Sequence, residues 1–374
     1  MNILERNTLM YFEYQNPVKL IFGRGSFGRL DASVNETGAK NALIVTLPLF
    51  LPLAENTVKK SDLYRGIFTE IEPNPQLDDI KKLIKIIKEK DIDLLVALGG
   101  GSVIDGAKFA AALRYAEGDA EDFFYCKRAF PEKRIPLIAL PTTAGTGSEV
   151  TQVAVVSRGK EKVTLNDRAF RPYAAIVDGA FTDGLPKRVT AVTGLDALSH
   201  ALEGFWSKNH SPLTDIYSTE SVRLIVNYFE RVLDDPTDKD ARDGMSYASL
   251  LAGLSFSVTK TAAVHACSYP LSEIYGLPHG EACALTLDAF VAINNDERLE
   301  RLSRSVGFSS SAGLAAFVKK IKTGENLTTK LAGSIPKNLI EDCLKHPLTA
   351  NNPVTITEEI LKGVFHEIIQ TTNR

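Results

Sequence analysis

The chain has 374 residues, of which 44% are hydrophobic and 24% charged, values typical of a folded protein with two or three domains and a sizeable core. Its 43 basic and 46 acidic residues give a net charge of -3, which provides no electrostatic reason to expect nucleic acid or an anionic membrane as a partner. The four cysteines are far apart and form no C-x-x-C pair, so a reducing compartment is favoured over a disulfide framework.

The N-terminal stretch "MNILERNTLMYF" carries charges where a secretory signal requires an apolar segment. The longest apolar run, 42–54, is too short to span a bilayer and contains Pro48 and Pro52. We therefore expect a cytoplasmic protein.

Short apolar runs alternate with helical patterns in the first half of the chain. The predicted helices are 76–90 and 103–116, and the predicted strands are 41–46, 92–100, 135–143, 153–158, 162–165 and 174–179. Strands that alternate with helices predict an α/β fold with a mostly parallel, doubly wound sheet.

The pattern changes after about Gly184. The stretch "PKRVTAVTGLDALSHALEGFWS" begins with a proline, a good residue for a first helical turn. Further helical patterns follow and no convincing strand; they cover 214–233, 243–258, 280–294, 296–305, 310–321 and 357–369. We expect an α/β domain over 1–184 and an all-α domain over 185–374.

The first glycine-rich stretch is "GRGSFG", which starts at Gly23 and matches G-x-G-x-x-G after an apolar run. That pattern alone is weak. About 20 residues further on the second strand ends in Thr46 and Leu47, with no acid to hold a ribose 2′-hydroxyl. We interpret this stretch as a turn ahead of the first helix.

The second stretch, "GGGSVIDGAK", lies where a strand ends and a helix begins, which is where a pyrophosphate binds. A tight turn alone does not require three consecutive glycines. The stretch "PTTAGTGSEVT" also follows a strand, and it could line the cofactor from the far side of the crevice or be a flexible loop. The candidate cofactor residues are Gly99, Gly100, Gly101, Ser102, Thr142, Thr143, Thr146 and Ser148.

Asp196 and His200 lie four residues apart on an otherwise apolar helix and so share one face. Taken singly, the histidine is typical of a satisfied core residue and the aspartate of a helix cap or dipole partner. Together they are a plausible half of a metal site.

The other half is sought among the remaining histidines. His265 and His279 lie in "HACSYPLSEIYGLPHG", where prolines and a glycine predict a turn that returns a ligand towards the first helix. His346 and His366 lie in polar contexts, and His210 in a predicted loop. Three imidazoles and one carboxylate suit Fe²⁺ or Zn²⁺, with an open position for substrate.

With these residues together, the chain resembles the iron-containing (group III) alcohol dehydrogenase family over nearly its full length. The motifs that carry the resemblance are "GGGSVIDGAK", "PTTAGTGSE", "TGLDALSHALE" and "GLPHG". The resemblance implies a dehydroquinate synthase-like architecture, in which a dinucleotide-binding α/β domain precedes a helical domain and a metal lies between them. The implied metal ligands are Asp196, His200, His265 and His279.

The resemblance also implies cofactor contacts for Asn74 and Lys162, besides the glycine loop and the threonines at 142, 143 and 146. Asp105 belongs to the glycine-loop motif and is expected to face the site, while Lys108 of the same motif serves structure. Two-fold dimers are common in the family, and the strand-like segment 11–22 could add to a partner's sheet.

Two positions depart from the family pattern. Leu47 stands where many members carry an acid, so discrimination against a 2′-phosphate should be weak and the choice between NAD(H) and NADP(H) stays open. Tyr269 stands where many members carry a histidine that contacts nicotinamide or relays protons. A tyrosine hydroxyl could also donate a proton, although its ordinary pKa of about 10 makes it a different relay.

The implied activity is reversible hydride transfer between NAD(P)H and a small aldehyde. The stretch "TKTAAVHACSYP" is similar to a branch that includes phosphonoacetaldehyde reductases, and Lys260 in it could pair with an anionic substrate tail or be a solvated surface lysine. The alternatives are a dehydroquinate-synthase-like lyase that uses nicotinamide internally, and a non-catalytic protein that keeps the fold and the metal.

Overall fold

The computed structural model describes residues 11–327 and 335–372. Strands and helices alternate through its first part. The strands are β1 (Lys19–Phe22), β2 (Ala42–Thr46), β3 (Tyr64–Phe68), β4 (Leu94–Gly99), β5 (Leu137–Pro141), β6 (Val153–Arg158), β7 (Glu161–Asn166) and β8 (Ala174–Val177). The helices among them are α1 (Leu30–Glu36), α2 (Leu51–Val58), α3 (Leu77–Glu89), α4 (Gly101–Ala112) and α5 (Ala120–Phe124).

Six strands form one parallel sheet in the order β1-β8-β5-β4-β2-β3, which confirms the predicted α/β fold. Every residue of β2 and β4 is buried, as expected for strands covered on both faces, and this explains their continuous apolar runs. The chain passes from β2 outward to β3 and then returns to β4 on the other side of β2. Ligands of such sheets bind outside the carboxyl ends of the strands at this switch point.

Strands β6 and β7 do not join the large sheet. They pair with each other as an antiparallel hairpin, with Ser157 opposite Lys162. The turn between them has only two residues, and its Gly159 has a φ of +60°. A connection this short allows antiparallel pairing, whereas parallel strands need a long crossover. The predicted segments 153–158 and 162–165 are therefore strands of a separate hairpin.

The second part of the chain is helical, as predicted. No strand follows β8 within the described ranges. The helices are α6 (Lys187–Trp206), α7 (Pro212–Asp234), α8 (Lys239–Thr259), α9 (Ala263–Tyr275), α10 (His279–Ile293), α11 (Glu297–Ser305), α12 (Ser311–Gly324), α13 (Lys337–Lys345) and α14 (Glu358–Thr372).

The stretch from His265 to Gly280 is mostly helix, which corrects the expectation of a turn. Pro270 lies inside α9 rather than in a loop. The actual turn is short: Gly276 ends α9 with a φ of +66°, and Pro278 precedes α10. His265 and His279 consequently lie in the first turns of two successive helices.

Helix α6 is the central element of the helical part. Fifteen of its 20 residues are buried, and it packs against α7, α8 and α10. Polar side chains on such a helix need partners, because a buried polar group without one costs free energy. In the described ranges no single helix is both long and apolar enough to cross a membrane, and α8 and α9 meet that test only as a pair bent by 101°.

Candidate metal and dinucleotide site

The four predicted metal ligands converge where α6, α9 and α10 meet. The Nε2 atoms of His200 and His265 are 3.0 Å apart. Oδ1 of Asp196 lies 3.9 Å from Nε2 of His265 and 3.8 Å from Nε2 of His279. Ligands on a tetrahedral ion with bonds of about 2.1 Å are about 3.4 Å from one another, so these spacings suit a common ion.

Gly280 allows α10 to approach α6 closely enough to form this cluster. A Cβ atom at this position would lie 2.5 Å from the backbone oxygen of Val192 and 3.1 Å from Cβ of Asp196. Any larger residue would push the start of α10, and with it His279, away from Asp196.

The Nδ1 atoms of two of these histidines, which point away from the cluster, have hydrogen-bond partners within the protein. Nδ1 of His200 is 3.2 Å from the carbonyl oxygen of Gly145, and Nδ1 of His265 bonds to a carboxylate oxygen of Glu203. Glu203 also accepts hydrogen bonds from the backbone N–H groups of Ala262 and Val264 at 3.0 and 2.7 Å. These bonds orient both rings with Nε2 towards the cluster, as partners of metal-binding histidines do.

Glu203 was missed in the sequence, although a signal was present. It follows His200 by three residues and Asp196 by seven on α6, so all three share one helical face. A buried helix with three ionisable residues on one face indicates a site rather than a core.

The pKa shifts within the cluster favour a cation among its donor atoms. Burial raises the pKa of Asp196 to about 6, and its Oδ1 atom is buried without a hydrogen-bond partner in the described part of the chain. Burial lowers the pKa of His200 and of His279 well below the ordinary value. For His265, burial is outweighed by Cys283 and Glu203, which raise its pKa. A divalent metal ion fits this donor set, because it can take the place of a proton on His265 and gives Asp196 a partner.

Cys283 is a further donor that the sequence reading did not single out. Its Sγ atom is 3.9 Å from Nε2 of His279, and the donor atoms of Asp196, His265, His279 and Cys283 all lie within 4.8 Å of one another. It follows His279 by four residues on α10, the same spacing that drew attention to Asp196 and His200.

Tyr269 lies between the metal cluster and the β6–β7 hairpin. Its hydroxyl is 2.9 Å from Oγ1 of Thr164, and its ring centroid is 5.9 Å from that of His279. Burial raises the pKa of Tyr269. Its ring stacks on that of His346, with the ring centroids 4.7 Å apart and an angle of 11° between the planes. An imidazole therefore does occupy this region, and it comes from a histidine near the C-terminus.

The glycine loop lies at the end of β4 and the start of α4. A Cβ atom on Gly100 would be 3.3 Å from Oγ1 of Thr143, and one on Gly101 would be 2.8 Å from Cγ2 of Thr146. The threonines of the second loop thus face the glycines, as expected for two sides of a crevice. The backbone N–H of Thr142 also donates to the carbonyl of Gly99 at 3.1 Å.

Asn74 connects this loop to Lys162. Its backbone N–H donates to Oγ of Ser102 at 3.2 Å, and its Oδ1 accepts from Nζ of Lys162 at 3.1 Å. Asn74 has a φ of +57°, a conformation that asparagine tolerates better than most residues. Burial lowers the pKa of Lys162. Asn74, Ser102 and Lys162 therefore form one connected group.

Ser148 and Asp105 form a hydrogen-bonded group with Lys108. Oγ of Ser148 accepts from Nζ of Lys108 at 2.7 Å and donates to Oδ1 of Asp105 at 2.5 Å. Oδ2 of Asp105 accepts from the backbone N–H of Val155 at 2.9 Å. These groups are hydrogen-bonded to one another, and the roles of Ser148 towards a cofactor and of Asp105 towards reacting groups stay predictions. Ser148 and Asp105 join α4 to the second loop and the hairpin, as Lys108 does.

Lys260 lies exposed at the end of α8 in a left-handed conformation with a φ of +58°. Its ammonium group makes no hydrogen bond or ion pair within the described ranges. It is available to an anion, although no contact ties it to the metal cluster.

Two family models match the chain. "Iron-containing alcohol dehydrogenase" matches residues 17–179, and "Fe-containing alcohol dehydrogenase family, C-terminal" matches residues 190–368. The NAD-dependent methanol dehydrogenase of Bacillus methanolicus is 32% identical over 295 residues, 77% of either chain. Long-chain-alcohol dehydrogenase 1 of Geobacillus thermodenitrificans is 29% identical over 369 residues, 92% of this chain and 93% of that protein.

A solved structure is also similar. The sulfoacetaldehyde reductase of Bifidobacterium kashiwanohense, in complex with NAD+, has a TM-score of 0.90 and 36% sequence identity, covering 97% of this chain and 100% of that one.

Proposed function

Because the chain belongs to the iron-containing alcohol dehydrogenase family, we propose that it is a metal-dependent reductase of a small aldehyde, working reversibly with NAD(P)H. The observation that carries the proposal is the buried Oδ1 atom of Asp196, which has no hydrogen-bond partner in the described ranges and faces Nε2 of His265 and His279.

In this proposal Asp196, His200, His265 and His279 hold Fe²⁺ or Zn²⁺. When bound, the metal supplies a Lewis acid for a carbonyl oxygen and the dinucleotide supplies a hydride for the carbonyl carbon. Their donor set of three imidazoles and one carboxylate suits either metal. Glu203 and the carbonyl of Gly145 keep His265 and His200 in the orientation that the metal needs.

The remaining residues bind the dinucleotide, keep water from the cluster and supply a proton. The glycines 99–101 and Ser102 present backbone and hydroxyl donors to a pyrophosphate at the start of α4. Phe256 stacks on the ring of His200 at 4.1 Å and 16°, which keeps water from that side of the cluster. The hydroxyl of Tyr269, whose ring lies beside that of His279, is the proton donor in this proposal, and transfer of its proton to the substrate oxygen completes an alcohol.

The proposed substrate is a two-carbon aldehyde with an anionic group. Support comes from the similarity to a sulfoacetaldehyde reductase and from the resemblance of "TKTAAVHACSYP" to phosphonoacetaldehyde reductases, whose substrates share an aldehyde next to a charged tail. Lys260, five residues before His265, is the cation that we assign to this tail.

The test is one assay matrix on protein reconstituted with Fe²⁺ or Zn²⁺. NADH and NADPH are offered with butanal, sulfoacetaldehyde and phosphonoacetaldehyde, and dinucleotide oxidation is followed by absorbance. We expect net consumption of the dinucleotide, at a rate with an anionic aldehyde well above the rate with butanal. Equal rates on butanal would remove the anionic substrate from the proposal. Dinucleotide binding without consumption on any aldehyde would favour a synthase or a non-catalytic protein.

We also propose a two-fold dimer and a cytoplasmic location, as expected from the sequence. Strand β1 lies at the edge of the large sheet and pairs only with β8 in the described ranges, so its other edge is open to a partner. Light scattering on the purified protein measures the mass directly, and a monomer would end the dimer proposal.

A further inference from the structure

A cavity of about 430 Å³ lies at the carboxyl ends of β2 and β3. Its volume falls in the range of ligand pockets, about 300–1,000 Å³. Its lining includes Leu47, Glu70, Glu72, Asp79 and Lys82.

This cavity lies next to the glycine loop in the fold. Thr46 pairs with Leu98, so Leu47 follows β2 beside Gly99 at the switch point of the sheet. On the other side, the segment that lines the cavity runs on to Asn74, whose backbone bonds to Ser102. A dinucleotide with its pyrophosphate on the glycine loop therefore has this cavity as the adjacent space for its adenosine half.

The lining carries an excess of negative charge. It contains three carboxylates, Glu70, Glu72 and Asp79, and one cation, Lys82. Nζ of Lys82 is already paired, 3.0 Å from Glu70 and 2.9 Å from Asp79. Glu72 is exposed and makes no ion pair among the described residues. A 2′-phosphate would add roughly two negative charges to this cavity, whose lining offers it no unpaired cation.

We propose that this carboxylate-lined cavity makes the protein select NADH over NADPH, with Glu72 as the carboxylate that disfavours the 2′-phosphate. The inference rests on the proposed function and extends it. It also replaces the expectation drawn from Leu47, because the acid missing at the end of β2 is supplied by the segment after β3.

The test measures dissociation constants of NADH and NADPH on metal-loaded protein by nicotinamide fluorescence, without any substrate. We expect NADPH to bind at least about tenfold more weakly. The difference should shrink between about 0.05 and 1 M salt, because the Debye length falls to about 3 Å. Glu72→Gln should strengthen NADPH binding several-fold and leave NADH unchanged, while the exposed Glu132→Gln outside the cavity should change neither.

Lys82→Gln distinguishes the proposed preference for NADH from a preference for NADPH. If Lys82 served a 2′-phosphate, the wild type would bind NADPH at least as well as NADH, and this variant would lose NADPH affinity alone; that result overturns the proposal. The proposal is also overturned if the wild type binds NADH and NADPH equally well and Glu72→Gln changes neither affinity. If neither dinucleotide binds at all, the proposed function itself fails.

Discussion

The Nε2 atoms of His200 and His265 face each other at 3.0 Å, while the Nδ1 atoms of both rings are held by Gly145 and Glu203. Two imidazole nitrogens in this arrangement need a shared positive charge between them, either a proton or a metal ion. Since Asp196 adds a buried carboxylate oxygen at the same point, the metal satisfies more groups than a proton does.

His200→Ala should remove most of the bound metal, because one of four donors and its fixed geometry are lost. The metal content of purified protein after reconstitution with Fe²⁺ or Zn²⁺ measures this by elemental analysis. The exposed His366→Ala should retain full occupancy. A His200→Ala protein that keeps both its metal and its turnover would refute the ligand assignment.

Glu203→Gln should weaken metal binding by about 10–100-fold without removing a ligand, because the amide holds Nδ1 of His265 less well than a carboxylate. Competition with a chelator gives the affinity, and thermal unfolding gives the stability. Asp178→Asn is the matched control: this buried carboxylate accepts backbone hydrogen bonds from Phe27 and Ala180 in the α/β part. Equal metal affinity in the two variants would leave Glu203 a purely structural role.

Gly280→Ala should also weaken metal binding, by about tenfold or more, since the added methyl group overlaps the backbone oxygen of Val192 and displaces His279. Gly324→Ala, at a helical position where a Cβ meets nothing within 4 Å, should leave metal binding unchanged. The same chelator competition compares the two. Unaltered affinity in Gly280→Ala would mean that α10 tolerates the shift.

Tyr269→Phe should lower kcat by about 100-fold while metal content stays constant, because the hydroxyl that holds the proton is lost and the ring stack on His346 remains. Steady-state kinetics together with elemental analysis check both parts. Tyr275→Phe, on the same helix, serves as the control. A kcat that survives in Tyr269→Phe would assign the proton to water instead.

Metal affinity should fall as the pH drops through about 6. The pKa of Asp196 without metal is raised to about 6, chiefly by burial, and the carboxylate binds a metal only when deprotonated. Below that pH a proton on Asp196 competes with the metal, in addition to the proton that competes for His265, at a cost of up to about tenfold in affinity per pH unit for each group. Zn²⁺ titrations between about pH 5 and pH 8 measure the slope, and a flat profile would exclude Asp196 as a ligand.

The sequence predicted the parts of the site that lie within single elements. Asp196 and His200 share a face of α6 because four residues make about one helical turn, and the glycines 99–101 mark the end of a buried strand. The ring of His346 on Tyr269 could not be found this way, since tertiary packing alone brings α9 and the segment after α13 together.

Other differences between the expected and the observed fold could have been predicted from the sequence. The segments 153–158 and 162–165 are separated by a glycine and too few residues for a crossover, which is a hairpin signal. The turn expected around Pro270 follows from the way proline interrupts helical hydrogen bonding. The burial of the first half of α9 stabilises the helix despite it.

The contact between His200 and Gly145 has a further consequence. Gly145 belongs to the loop whose threonines face the glycines 99–101, so the segment that we propose to contact the dinucleotide also fixes a ring of the metal cluster. We expect a shift of that loop on dinucleotide binding to change the affinity for the metal. By thermodynamic reciprocity, the metal then alters the affinity for the dinucleotide by the same factor. The contact between His200 and Gly145 therefore predicts that binding of the two ligands is linked through one backbone carbonyl.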